Sequence, residues 1–170
     1  MSHIINNATA EDLPLIYRLF EEAIRYQKDN GFIGWQNYDK AFLQEDVRNK
    51  FLFRIISNDA IIGIFSICYI DALIWRDKER GDAIYLHRIV LNRRFKGEKI
   101  FSKVFDWAKE QAAQQGLKYI RMDTWAGNAG IIDYYKSYGF RFVENYTTPD
   151  TEDLPVQHRA LNVALLEFAV

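Results

Sequence analysis

Arg93, Arg94, Lys96 and Lys99 crowd around one glycine, Gly97, between a segment that reads as a strand and one that reads as a helix. The first N–H groups of a helix have no partner within it, and with the helix dipole they attract anions. Gly97 lets the backbone approach an anion with no side chain in the way, and the surrounding cations add charge of the right sign. The chemistry implied is phosphate binding, although the same residues also read as an ordinary strand-to-helix turn with a basic surface. No Gly-x-x-x-x-Gly-Lys-Ser/Thr and no Gly-x-Gly-x-x-Gly occurs, which argues against a kinase and a dehydrogenase. Shortly before the loop stands His87, whose imidazole, of ordinary pKa about 6.5, is suited to accept a proton near neutral pH. Two-residue alternation puts Tyr85, His87 and Ile89 on one strand face. His87 reads equally as a hydrogen-bonded wall residue.

These residues need a scaffold, and the hydrophobic periodicity supplies one. Thr9 and Asp12 form a capping-box pattern, after which Leu13, Ile16, Tyr17, Phe20, Ala23, Ile24 and Gln27 recur at helical spacing until Asn30-Gly31. An aromatic loop (Phe32, Trp35, Tyr38) leads to a shorter helix capped by Asp39. Phe51 to Ser57 and Ala60 to Ile70 are rich in β-branched and aromatic residues, with Asn58-Asp59 as the hairpin turn. Arg76 to Asp82 reads as a charged, solvated loop, and Ala83 to Leu91 as a strand. A helix then carries Ile100, Val104, Ala108 and Ala112 inward and stops at Gly116, and Lys118 to Thr124 is the next strand. This strand-helix-strand order predicts two parallel neighbours. A helix from about Asn128 to Tyr138, ended by Gly139, precedes an antiparallel pair, Phe140 to Thr147 and Leu161 to Phe168. The expectation is one α/β domain over residues 1–170, a mixed sheet with helices on both faces.

The segment Arg94-Phe95-Lys96-Gly97-Glu98-Lys99 resembles the acetyl-CoA pyrophosphate loop of GNAT-type N-acetyltransferases, Gln/Arg-x-x-Gly-x-Gly/Ala, with Arg94 and Gly97 at the first two fixed positions. Lys99 stands where that family usually has Gly or Ala, and Phe101 where another small residue is common. Asn128, Tyr135, Gly139 and Phe140 look like the family's Asn-x-x-x-x-x-x-Tyr-x-x-x-Gly-Phe element. The resemblance implies a GNAT-like acyl-CoA N-acyltransferase fold with acetyl-CoA as co-substrate. It implies that two parallel strands splay and that the pantetheine arm bonds to the backbone of Ile89, Val90 and Leu91. The loop from Arg94 through Phe95, Lys96, Gly97, Glu98, Lys99, Ile100 and Phe101 would hold the pyrophosphate, and Asn128 would contact coenzyme or substrate. Tyr135 would protonate the departing thiolate, a backbone amide of the 89–91 strand would polarise the thioester carbonyl, and His87 would stand where many members carry Glu. The implied reaction is direct acetyl transfer to a primary amine of a small molecule or peptide. A weak or inactive acyl-CoA-binding sensor of the same fold is the alternative.

Composition narrows the partners. With 22 basic and 23 acidic residues the formal charge is −1, which gives no global field for nucleic acid or an anionic membrane. No uncharged apolar run approaches membrane-spanning length, and the first residues lack a basic start followed by a long apolar run. The single cysteine, Cys68, excludes an internal disulfide, and its apolar neighbours suggest a buried thiol in a reducing, cytoplasmic setting. His3, His87 and His158 are far apart in sequence with no ligand-spaced cluster, so no metal is expected. Trp35, Trp75, Trp125, Tyr69 and Tyr85 are candidates for an aromatic wall. Edge strands and the final hairpin offer surfaces for a homodimer.

Overall fold

The computed structural model describes residues 2–170. Its strands are Ile4–Asn7 (β1), Leu52–Ser57 (β2), Ala60–Cys68 (β3), Ala83–Leu91 (β4), Tyr119–Trp125 (β5), Arg141–Thr147 (β6) and Asn162–Ala169 (β7). They form one sheet in the order β1-β2-β3-β4-β5-β7-β6. Every neighbouring pair is antiparallel except β4 and β5, which run parallel. The helices are Leu13–Asp29 (α1), Lys40–Arg48 (α2), the single turn Ala72–Trp75 (α3), Ile100–Gln115 (α4) and Ala129–Lys136 (α5). Among the described residues no helix is long and apolar enough to cross a membrane.

Local chemistry accounts for the elements. Asn58 and Asp59 take φ of 48° and 61°, the left-handed pair that a two-residue hairpin needs to match strand twist. Thr9 and Asp12 do form a capping box, but it closes a 3-10 turn over Ala10–Asp12, and α1 follows at Leu13. Helix α4 buries Ile100, Phe101, Val104, Phe105, Ala108 and Ala112, a stripe at helical spacing, against Ile84, Leu86, Ile120 and Met122 of the sheet. On the other face α1 buries Ile16, Leu19 and Phe20 against Leu52, Ile64 and Val90. A third cluster joins Ile74 and Trp75 to Tyr85, Val163 and Leu165.

Two details depart from the sequence reading. The four-residue strand β1 is absent from it, being too short and too half-polar (Ile-Ile-Asn-Asn) to show a period. The charged stretch after Trp75 is not simply solvated: Arg76 pairs with Glu144, and Glu79 accepts hydrogen bonds from the Tyr85 hydroxyl and the Asp71 and Gly81 amides.

Gly139 carries the turn from α5 into β6 at φ +98°, and a Cβ there would lie 3.1 Å from Cε2 of Phe168. Gly139→Ala is therefore expected to cost about 2 kcal/mol, combining backbone strain with displacement of a packed ring, and to lower Tm by about 4–8 °C. Gly97→Ala, at φ +86° with nothing within 4 Å of its Cβ, should lose distinctly less. Equal losses would contradict the packing part of the account.

Candidate active site

The site begins with a bend in β4. Val90 pairs with Ile64 and His87 with Ser66, so Arg88 and Ile89 together face the single residue Phe65. Arg88 is the bulged residue, at φ +50°. Its guanidinium is held by Asp46 of α2 and donates to Ser66 Oγ at 3.3 Å. The extra residue breaks the alternation. Tyr85 packs with the α3 cluster, whereas Ile89 packs with the α4 core. The expectation that Tyr85, His87 and Ile89 share a face is thereby corrected: His87 and Arg88, neighbours in sequence, both lie on the side of α2 and α3.

The bend also ends the parallel pairing. β4 and β5 are in register from Ala83 with Tyr119 to Leu86 with Met122, and beyond that point no pairing joins them. A cleft of about 250 Å³ opens there, with Ile89, Val90 and Leu91 on one wall and Asp123 and Trp125 on the other. Tyr135 and Trp35 also line it. Trp35 and Trp125 lie 6.0 Å apart. Of the other aromatic-wall candidates, Trp75 and Tyr85 are fully buried in the core, and Tyr69 packs on Phe51 and accepts from Gln115.

The basic loop continues from β4. Asn92 anchors it, donating to Ile61 O at 2.8 Å and accepting from the Arg94 amide at 3.2 Å. Arg94, Lys96, Gly97 and Lys99 are exposed, and Phe95 and Glu98 half-buried. Lys99 caps α4 in the left-handed conformation, φ 48° and ψ 52°, so the residue that departs from the resembled motif still adopts a backbone shape that glycine favours. The Ile100 and Phe101 side chains turn inward. Phe101 meets Tyr135 edge-on at 4.8 Å, leaving the loop its peptide groups. Arg93 lies over the Tyr26 ring at 3.0 Å.

His87 sits between two acids, its Nε2 3.3 Å from Asp71 Oδ2 and its Nδ1 3.7 Å from Asp123 Oδ1, with all three side chains 9% exposed. Burial opposes charge on this imidazole, but the Cys68 sulfur and the Asp71 carboxylate outweigh it and hold its pKa well above the usual value. This favours the charged imidazolium, which has no lone pair to accept a proton, and so bears on the base role expected for His87. Burial raises Asp123 to about 6, against the opposing charge of His87. Its Oδ1 and Asp71 Oδ2 have no hydrogen-bond partner among the described residues. His158, 6.0 Å from His87 ring to ring, is kept neutral by burial, Arg88 and His87. Cys68 is half-buried within this group rather than isolated in apolar packing. Donor atoms of Cys68, Asp71 and His87 lie within 4.8 Å of one another, a set of metal-ligating types that separation in sequence conceals. An ion there would have to displace the proton that these groups hold on His87.

Asn128 is the N-cap of α5, its Oδ1 accepting from the Ile131 amide at 3.1 Å. Tyr135, about two helix turns further on, is half-buried. Burial, Tyr134 and Asp123 push its phenol well above its usual range, so it stays protonated.

The profile described as the acetyltransferase (GNAT) family matches residues 14–140. An uncharacterized N-acetyltransferase of Bacillus subtilis, YesJ, is 30% identical over 73 residues, 43% of this chain and 41% of that protein. The chain thus spans well under two thirds of that relative's length. A GNAT family acetyltransferase from Listeria monocytogenes superposes with TM-score 0.79 at 19% identity, covering 99% of this chain and 95% of that one. The aminoglycoside acetyltransferase AAC(6')-Ib, solved with coenzyme A and kanamycin, gives TM-score 0.71 at 16% identity, over 99% and 95%.

Asp123 makes stability depend on pH. Its folded carboxyl keeps a proton up to about 6, while an unfolded one releases it near 3.9, so wild-type protein loses stability as pH rises through that window. Asp123→Asn does not titrate, and relative to wild type it should gain on the order of 2–3 kcal/mol between pH 4 and pH 7. Denaturant unfolding at several pH values measures this, and a pH-independent difference would contradict it.

Proposed function

We propose, from the premise that this chain belongs to the acetyltransferase (GNAT) family, that it moves an acetyl group from acetyl-CoA to a primary amine of a small molecule or peptide by direct transfer. The observation that carries the reading is the parting of β4 and β5 after Leu86 and Met122, which leaves the 89–91 backbone facing an open cleft. A strand edge without a neighbour offers amide and carbonyl groups to an extended ligand, as a further strand would use them. This favours Ile89, Val90 and Leu91 as the groups that bind the pantetheine arm. The start of α4, with exposed Gly97 and the cations Arg94, Lys96 and Lys99 around it, suits the pyrophosphate. Asn128 commits its carbonyl to the cap and keeps an amide donor for a ligand.

Tyr135 supplies the acid. Expulsion of a thiolate is eased by a hydroxyl able to donate to the sulfur, and a phenol held protonated inside the cleft meets that need. A backbone amide of the 89–91 strand polarises the thioester carbonyl as an oxyanion-type donor. Amine and thioester meet in one ternary complex, with no acyl-enzyme between them.

Thiol release from acetyl-CoA with a broad amine panel tests the reading. Tyr135→Phe should lower kcat about 100-fold while the KM for acetyl-CoA stays within about twofold. Unchanged kcat would remove Tyr135 from the acid role. Coenzyme binding by the wild-type protein without release under any acceptor would replace the transfer reading with a sensor.

A further inference from the structure

We propose that Asp123 docks the acceptor's ammonium and takes its proton, and that His87, itself held by Asp71, positions it for that task. The inference rests on the transfer reading above and assigns a base that the sequence did not single out.

The argument starts from β5. Met122 and Ile120 point into the α4 core, so by alternation Arg121, Asp123 and Trp125 take the opposite face. Arg121 lies where β4 and β5 still pair, and Asp123 is the first residue of that face beyond the last pair. Its carboxylate enters the cleft at the point where the strands separate. It is nine-tenths buried, and Oδ1 has no hydrogen-bond partner among the described residues. The ion-pair contact with His87, at 3.7 Å, is too long for a hydrogen bond, and a buried acceptor left without one carries a desolvation cost. A cationic ligand in the cleft removes that cost. Trp125, two residues on, and Trp35 line the same cleft, and their faces suit an ammonium and its apolar stem.

The charged and titratable neighbours come from every element around it. β4 contributes His87 and Arg88, the segment before α3 contributes Asp71, and α5 contributes Tyr135. Cys68 of β3 and His158 of the β6–β7 connection face His87. His87 and Arg88 favour the ionised form of Asp123, and burial and Asp71 oppose it. The outcome is a carboxyl balanced near neutrality, where a base works best.

The proton balance closes without a further reagent. One proton passes from the acceptor nitrogen to Asp123, and the freed lone pair forms the C–N bond at the acetyl carbonyl carbon. The C–S bond breaks with its electron pair on sulfur, which takes the Tyr135 proton. The second proton of the acceptor nitrogen restores Tyr135, and Asp123 later returns its proton to water.

The experiment compares an alkylamine, protonated at neutral pH, with an arylamine that is already unprotonated there. For wild type, kcat/KM with the alkylamine should rise with pH through an apparent pKa of about 6. Asp123→Asn should lower it by about 100- to 1000-fold and remove that limb, with a loss at least about tenfold smaller for the arylamine. His87→Gln should retain the limb and move it to higher pH, because the charge that favours the carboxylate is gone. If Asp123→Asn keeps the limb, or if His87→Gln abolishes it, the assignment is overturned while the transfer reading stands. A wild-type protein that releases no thiol with any amine overturns both. Matching near-UV spectra of the variants separate these outcomes from misfolding.

Discussion

A single non-glycine residue at positive φ governs the geometry of this protein. Arg88 takes φ +50°, a conformation that costs an ordinary residue roughly 1–2 kcal/mol. It is kept there by a buried ion pair with Asp46, the two side chains 8% and 12% exposed, and by the Ser66 hydroxyl. Removing one partner from such a pair strands a charge in the interior, a loss of about 3–5 kcal/mol, so neither side chain is readily replaced. From the bulge follow the bend of β4, the end of its pairing with β5 and the open backbone at 89–91.

The parallel pair is fastened as firmly just before it parts. Tyr85 and Arg121 are register partners there. Arg121 donates to Glu167 at 2.8 Å and to the Tyr85 hydroxyl at 3.0 Å, and that hydroxyl donates to Glu79. Three strands and the segment after α3 are joined by one buried polar network, in which each member satisfies another. The sheet is thus closed by charge and hydrogen bonds at Tyr85–Arg121 and parted by the bulge three residues later. A rigid fork of this kind holds an extended ligand without reorganising its backbone.

What the sequence disclosed tracks the range of the interactions involved. Helices α1 and α4, the Asn58–Asp59 hairpin, the parallel β4–α4–β5 unit and the final antiparallel pair are set by periodicity and turn chemistry, both local, and they stand as read apart from end residues. The Asn128 to Phe140 segment was legible for the same reason, since its cap, helix and terminal glycine lie within thirteen residues. The bulge was not, because Arg88 in an apolar strand carries no sign that it will face Asp46, forty-two positions earlier. Once it was missed, the face of Ile89 was wrong. The state of His87 was hidden too, depending on Cys68, Asp71 and Asp123 from three other parts of the chain. One signal was available: Asp123 is an acid amid the largely buried residues Ile120, Met122 and Thr124, on a strand already predicted to adjoin that of His87.

The claim beneath the rest is that the parted β4 edge and the start of α4 receive an acyl-coenzyme thiol. Amide hydrogen exchange with and without coenzyme A tests it at the residues concerned. Slower exchange at 89–91 and 97–101 on adding coenzyme A, with 83–86 already protected by pairing to β5, is the result expected. Unchanged exchange at 89–91 under saturating coenzyme A would contradict it.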